Sequence, residues 1–265
     1  MRLALAQLDV EPTDVRENVE RAVSAVADAA DRGADLVVLP ELFTVGYFAF
    51  DSYARTAESL DGPTLTELAE AARDHEVGIV AGSIVEDLAT TSDGPAEEGL
   101  ANTSVFLDRA GERRAVYRKR HLFGYDSAES DLLVAGESLP TVEFEGFTVA
   151  TTTCYDLRFP ELYRRLVDAG TTLVAVPSAW PYPRVEHWRL LPRARAVENL
   201  LYVGAANGVG QFEDARLCGR STVFDPWGTT LASSDDEGTV VLADCDPERV
   251  ASVRAEFPAL GDRRL

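Results

Sequence analysis

Short apolar runs rich in β-branched residues recur along this chain, separated by amphipathic or polar stretches. Residues 3–8, 36–39, 77–85, 147–153, 171–176 and 201–206 have this character, and runs of that length read as strands covered on both faces. Between the first two, Val15, Val19, Ala22, Val23, Val26 and Ala30 fall near helical spacing, with Thr13 or Asp14 to cap the helix and Gly33 to end it. Residues 65–75 and 185–199 carry further helical patterns. Residues 102–108 and 115–118 predict a hairpin about Ala110-Gly111-Glu112, and residues 221–224 and 239–243 two more strands. Strands alternating with helices define an α/β protein with largely buried sheets. Nothing in the 265 residues reads as a linker, so one domain over 1–265 is expected.

Three strand ends carry reactive side chains. In Leu36-Val37-Val38-Leu39-Pro40-Glu41-Leu42-Phe43 the proline ends the strand and leaves Glu41 among apolar neighbours, where burial would raise its pKa toward that of a working base. In Thr151-Thr152-Thr153-Cys154-Tyr155-Asp156-Leu157-Arg158 a thiol stands where a strand meets a helical pattern running on toward Ala169. Free N–H groups and a helix dipole at such an elbow favour a thiolate and a developing oxyanion. A buried structural cysteine is the other reading of the same stretch. The third is Lys119, the single lysine among 25 basic residues, within Tyr117-Arg118-Lys119-Arg120-His121-Leu122-Phe123. A chain that otherwise uses arginine keeps one ammonium, a compact point charge able to sit against developing negative charge.

These three segments resemble, in order and spacing, the signature segments of the nitrilase superfamily of carbon-nitrogen hydrolases. The likeness extends from Leu3-Ala4-Leu5-Ala6-Gln7-Leu8 to Gly219-Arg220-Ser221-Thr222-Val223-Phe224-Asp225-Pro226-Trp227-Gly228. The resemblance implies a four-layer α-β-β-α sandwich, paired into a homodimer or higher homo-oligomer. It implies Cys154 as nucleophile, Glu41 as general base, and Lys119 with the Tyr155 N–H as oxyanion donors, with no cofactor and no metal. It also implies that a second glutamate, lying after the lysine segment and best matched by Glu129, contacts Lys119; a surface glutamate in an acidic protein is the plain alternative.

Residues 177–183 hold three prolines and two aromatics, which predict a rigid apolar loop beyond a strand end, shaping a pocket. Trp180-Pro181-Tyr182-Pro183-Arg184, followed by His187-Trp188, looks most like the omega-amidase branch, which hydrolyses ω-amides of dicarboxylic acids. Trp180, Arg184, His187 and Arg158 are the candidate substrate-binding residues, either arginine being able to pair with a substrate carboxylate. Nitrile and N-carbamoyl hydrolysis, and a non-catalytic dimeric binding module, are the alternatives. His75 and His121 lack a visible carboxylate-and-thiol context.

Charge narrows the partners. With 45 acidic against 25 basic residues, the net charge of −20 argues against nucleic-acid and anionic-membrane binding and leaves a small-molecule amide as the expected partner. Acidic surface with arginine in place of lysine reads as adaptation to high salt. Residues 1–7 read as a strand, with no long apolar run, so a cytoplasmic protein is expected. Cys154, Cys218 and Cys245 are odd in number and far apart, which suits free thiols.

Overall fold

Every residue of strand β1 (Arg2–Gln7) after Arg2 is buried, because a layer covers each of its faces. Leu3 and Leu5 point to one side, Ala4 and Ala6 to the other, as the two-residue period of a strand requires. The computed structural model describes residues 1–125, 127–213 and 215–264. Asp126, Asp214 and Leu265 lie outside the described residues.

After β1 come α1 (Val15–Asp31), β2 (Leu36–Val38), α2 (Tyr53–Thr56), α3 (Pro63–Asp74), β3 (Gly78–Val80), β4 (Ile84–Asp87), β5 (Leu100–Leu107) and β6 (Arg113–Arg118). Then follow α4 (Glu129–Leu132), β7 (Thr141–Phe144), β8 (Phe147–Thr151), α5 (Pro160–Asp168), β9 (Leu173–Ser178), α6 (Val185–Asn199) and β10 (Tyr202–Asn207). The chain closes with β11 (Val209–Gln211), β12 (Arg216–Cys218), β13 (Thr222–Phe224), β14 (Thr230–Ser233), β15 (Thr239–Asp244) and α7 (Pro247–Glu256). One sheet has the order β15-β1-β2-β3-β5-β4, with β6 on the far edge of β5; the second runs β14-β13-β10-β9-β8-β7. The central strands β1, β2 and β3 are parallel, as are β8, β9 and β10.

The sheets pack face to face through Leu3, Leu5, Leu36, Val38 and Val80 on one side and Phe147, Val149, Leu173, Ala175 and Tyr202 on the other. Val19, Ala22, Val26, Leu65 and Leu68 of α1 and α3 cover the outside of the first sheet. Leu162, Tyr163, Leu166, Trp188 and Ala196 of α5 and α6 cover the second. The result is the four-layer α-β-β-α sandwich. No helix among the described residues is long and apolar enough to cross a membrane.

Local signals account for several boundaries. Asp14 caps α1, its side chain accepting from Glu17 N at 3.1 Å, and α6 spans the residues its pattern predicted. The expected strand 77–85 is instead broken into β3 and β4, which share one edge of β5. The break is at Gly82, with φ +48°, where a Cβ would lie 2.1 Å from the Pro40 carbonyl oxygen. Only glycine allows the turn carrying Glu41 to approach so closely. Ser83 then ties that turn down, its Oγ accepting from Leu42 N at 2.9 Å. Pro177 and Ser178, expected in a loop, extend β9 beside Ala206 and Asn207.

At the end of β6, the strand that delivers Lys119, Arg118 donates Nε and Nη2 to Glu86 at 2.7 and 2.8 Å, with Glu86 fully buried. Burial alone would raise the pKa of Glu86, but the hydrogen bonds from Arg118, Thr103 and Thr91 outweigh it and hold it below the ordinary value. A depressed carboxylate contributes stability above the unfolded-state pKa that is lost as pH falls through the folded one. Arg118→Ala leaves that charge buried and unpaired and costs about 3–5 kcal/mol in urea unfolding at neutral pH. The loss should shrink on acidification; a loss that stays constant down to the acid transition would contradict this account.

Candidate active site

Ends of strands from both sheets meet at one point. Beyond β2, Glu41 is held by the end of β9: its N–H donates to the Ser178 carbonyl at 3.3 Å, and Ala179 N–H donates to its Oε2 at 2.9 Å. Beyond β6, Lys119 is fixed by its own N–H to the Asn102 carbonyl at 2.9 Å. Beyond β8, Cys154 opens a 3₁₀ turn, Cys154–Arg158, with φ +45°. That conformation is strained for a residue with a Cβ, and side chains held so recur at reactive turns.

Lys119 is 1% exposed, and its Nζ donates to Glu41 Oε1 at 2.8 Å and to Glu129 Oε1 and Oε2 at 2.7 and 3.0 Å. Glu129, which opens the short helix α4, is thus the second carboxylate on the lysine. It also accepts from Tyr47 OH at 3.0 Å and Phe123 N at 2.7 Å. Asn102 Nδ2 donates to Glu41 Oε1 at 2.8 Å, completing a buried cluster in which each charge has a partner.

Burial by itself would lower the pKa of Lys119, but Glu129 and Glu41 outweigh it and hold the ammonium well above its ordinary value. Burial raises Glu41; Lys119 opposes that rise and Glu129 adds to it, and the net direction is upward. Burial and the Glu41 charge together push the Cys154 thiol well above its ordinary value against the pull of Lys119. The sequence argument for a resting thiolate is therefore corrected. Helix α5 begins only at Pro160, the 3₁₀ turn lies between it and the sulfur, and desolvation dominates. The site rests as a neutral thiol facing a carboxylate of raised proton affinity and a permanent ammonium.

Asp156, fully buried, joins the cysteine turn to the lysine segment. It accepts from Thr153 N at 2.9 Å, Tyr117 OH at 2.5 Å and His121 N at 3.1 Å, and lies 2.7 Å from His121 Nδ1. His121 thus has a carboxylate partner that sequence did not reveal, and its ring stacks on Phe159 with centroids 3.7 Å apart.

A narrow cavity of about 50 Å³ opens onto Cys154 and Lys119, walled by Tyr47, Phe48, Phe123, Tyr155, Arg158, Ala179, Trp180, Pro181 and Arg184. Of the residues singled out from sequence, Lys119, Cys154, Tyr155, Arg158, Trp180 and Arg184 line it, while Glu41 and Glu129 bond to Lys119 Nζ. The Tyr155 amide is in the first positions of the 3₁₀ turn, where N–H groups have no partner within the turn. His187 does not line the cavity: it is exposed, and its Nδ1 lies 3.1 Å from Arg158 Nη2. It lies in the first turn of α6 and meets the arginine rather than the opening. Tyr47, Asn102 and Asp156 were missed. Their only signal was polarity within apolar runs, which does not say what a polar group faces. Among the described residues no group of three or more His, Cys, Asp or Glu is arranged to hold a metal ion.

Comparison with known proteins bears on this geometry. Residues 2–255 match the family model described as carbon-nitrogen hydrolase. The 2-oxoglutaramate amidase of Paenarthrobacter nicotinovorans is 40% identical, over 97% of this chain and 90% of that one. The crystal structure of Saccharomyces cerevisiae Nit3, described as a member of branch 10 of the nitrilase superfamily, superposes with a TM-score of 0.89 at 29% identity. That match covers 100% of this chain and 97% of that one. An amidase from Nesterenkonia sp. AN1, in a variant showing Michael addition of acrylamide at the active-site cysteine, is 31% identical with a TM-score of 0.82, covering 98% of each chain.

The electrostatics set a pH dependence for thiol chemistry. Alkylation of Cys154 by iodoacetamide, read by intact mass, should fall as pH drops through the Glu41 titration, with a midpoint above the ordinary glutamate value of 4.5. Glu41→Gln should erase that inflection and leave a rate that climbs only toward the raised thiol pKa. Cys218 and Cys245, buried and pushed up to about 12, should react more slowly throughout. An unchanged profile in Glu41→Gln would rule out Glu41 as the proton acceptor.

Proposed function

The chain belongs to the carbon-nitrogen hydrolase family, and from that premise we propose that it hydrolyses the terminal amide of a short dicarboxylic acid monoamide, with Cys154 as nucleophile and Glu41 as general base. It is a hydrolase of non-peptide C–N bonds acting on amides. In the reaction assigned here, Glu41 takes the thiol proton as Cys154 Sγ attacks the amide carbon. The oxygen's developing charge is met by Lys119 Nζ and the Tyr155 N–H. Proton transfer also changes the charge balance around the lysine. Two carboxylates share one ammonium at rest; once Glu41 is protonated, Glu129 alone opposes it, and its field is released toward the oxyanion. Glu41 then gives its proton to the departing amine, and C–N cleavage yields ammonia and a thioester. Water, deprotonated by Glu41, attacks the thioester carbon and frees the carboxylic acid and the thiol.

The observation that carries the substrate class is a pair of uncompensated cations. Arg158 and Arg184 line the same cavity as Cys154, and among the described residues neither has a carboxylate within 4.0 Å, although the chain holds 45 acidic residues. Their guanidinium groups rest on aromatic faces instead: Arg158 lies 5.1 Å from the Trp180 ring centroid and Arg184 5.5 Å from that of Phe123. Such cations bind an anion at little cost, because no existing pair has to be broken. A carboxylate at one end and an amide over Cys154 at the other describe an ω-amide. The amidase of P. nicotinovorans is named for such a substrate.

We also assign a homodimer of this single domain, built on the outer face of the second helical layer. Leu190, Val197, Trp227 and Phe257 are exposed there, and the Trp227 and Phe257 rings lie 5.8 Å apart. A patch of that kind on so acidic a chain suits a second copy, whose matching apolar face it can cover.

Ammonia release from 2-oxoglutaramate, glutamine, a carbamoyl amino acid, an aliphatic amide and a nitrile tests the assignment. The wild type should turn over the first far faster than the rest, and Cys154→Ala should be inactive. Arg158→Ala or Arg184→Ala should raise KM for 2-oxoglutaramate by about tenfold or more, the worth of one charge-assisted hydrogen bond. Preference for the nitrile or carbamoyl compound would overturn the substrate class. For the dimer, Leu190→Glu with Val197→Glu should yield a monomer in sedimentation velocity; a wild type that sediments as a monomer would refute it.

A further inference from the structure

We infer that His187 is a positioning residue for substrate recognition: it aims the Arg158 guanidinium into the cavity without neutralising it. This rests on the reading above that Arg158 receives the substrate carboxylate. Three contacts define the arginine's position. Its guanidinium lies 5.7 Å from the Tyr155 ring centroid and 5.1 Å from that of Trp180, and its Nη2 is 3.1 Å from His187 Nδ1. The aromatic faces restrain the plane of the group and leave it free to rotate within that plane. The histidine contact removes that freedom, and it is the one side-chain hydrogen bond of Arg158 among the described residues.

The chemistry of the pair assigns its protonation. A guanidinium can only donate, so Nδ1 must present its lone pair and His187 is neutral, with its proton on Nε2. A neutral acceptor at this place has a consequence that a carboxylate would not. Aspartate or glutamate there would also orient the guanidinium, but would pair with it bidentately and compete with the substrate's own carboxylate. An imidazole fixes the direction of the fork and leaves its positive charge and remaining N–H groups for the ligand. His187 lies in the first turn of α6, three residues after Arg184, and Trp180 Nε1 donates to the Arg184 carbonyl at 3.0 Å. The backbone that sets His187 is thus tied to the aromatic wall of the cavity. A surface histidine touching an arginine by chance has no reason to sit on an element anchored to the same wall.

Steady-state kinetics with succinamate and with butyramide, which has an amide and a chain of similar length but no carboxylate, test the inference. In His187→Leu, KM for succinamate should rise about tenfold with kcat little changed, as loss of an orienting hydrogen bond to a charged group requires, while KM for butyramide should not follow. His187→Asn, which keeps a neutral acceptor, should recover most of the loss. His187→Asp, which neutralises Arg158, should raise KM for succinamate at least as far as the leucine variant. His187 is exposed, so the variants should fold, and their thermal midpoints should match the wild type. Arg158→Ala separates the two levels of the argument. If it abolishes the preference for succinamate while His187→Leu retains it, the inference is overturned and the substrate reading stands. If Arg158→Ala leaves the preference intact, or the wild type shows none, the substrate reading fails and the inference with it.

Discussion

A single buried ammonium organises this protein. Taking Lys119 out of water together with Glu41 and Glu129 costs several kcal/mol per ion, and the mutual attraction offsets that cost only if the geometry holds and the remaining polar atoms are bonded. The fold meets the first condition and all but meets the second: of the side-chain polar atoms in the cluster, only Asn102 Oδ1 lacks a partner among the described residues. The ammonium binds Glu129 through both oxygens and Glu41 through one, and Asn102, Tyr47 and two backbone N–H groups take up lone pairs around it. These groups come from both sheets and from the loops between them. The second sheet's part is the Ala179 N–H at the end of β9, so the packing that buries the hydrophobic layer between the sheets also completes the site.

The same coupling explains where the structure accepts strain. Cys154 has a left-handed backbone conformation, unfavourable for a side chain, and Asp156 two residues later anchors the turn with four contacts. Two of the groups bonded to Asp156, Tyr117 and His121, flank Lys119 in sequence. The turn that strains the thiol is therefore tied to the segment that carries the ammonium, and sulfur and nitrogen cannot drift apart independently. On the other side, Gly82 gives up a continuous strand so that the Pro40-Glu41 turn can approach, and Ser83 secures it.

Charge is used in two ways by one residue type. Arg118 and Arg109 are locked to carboxylates on the body of the protein, Arg118 bidentately to Glu86. Arg158 and Arg184 at the cavity rest on aromatic rings. Other arginines without a carboxylate partner among the described residues, such as Arg164 and Arg254, spend their N–H groups on backbone carbonyls, whereas the two at the cavity are held with their N–H groups off any carbonyl or carboxylate. Aromatic walls do this, since they support a guanidinium without cancelling its charge.

Sequence by itself determined the α/β class, a helix within residues 13–32 and another at 185–199, and the three strand ends with Glu41, Lys119 and Cys154. Apolar periodicity and terminating residues are local properties, and a lone lysine in an arginine-rich chain is visible without coordinates. The family resemblance added the four-layer sandwich and pointed to Glu129. Only the tertiary structure decided that residues 77–85 break at Gly82, because the reason lies in the Pro40 carbonyl of another loop. It decided that Cys154 rests as a thiol, because burial and the charge on Glu41 are set by distance rather than by position along the chain. It brought Asn102, Tyr47 and Asp156 to the site, and it turned His187 away from the cavity onto Arg158. Those outcomes depend on which polar groups meet across the two sheets, and long-range packing alone fixes that.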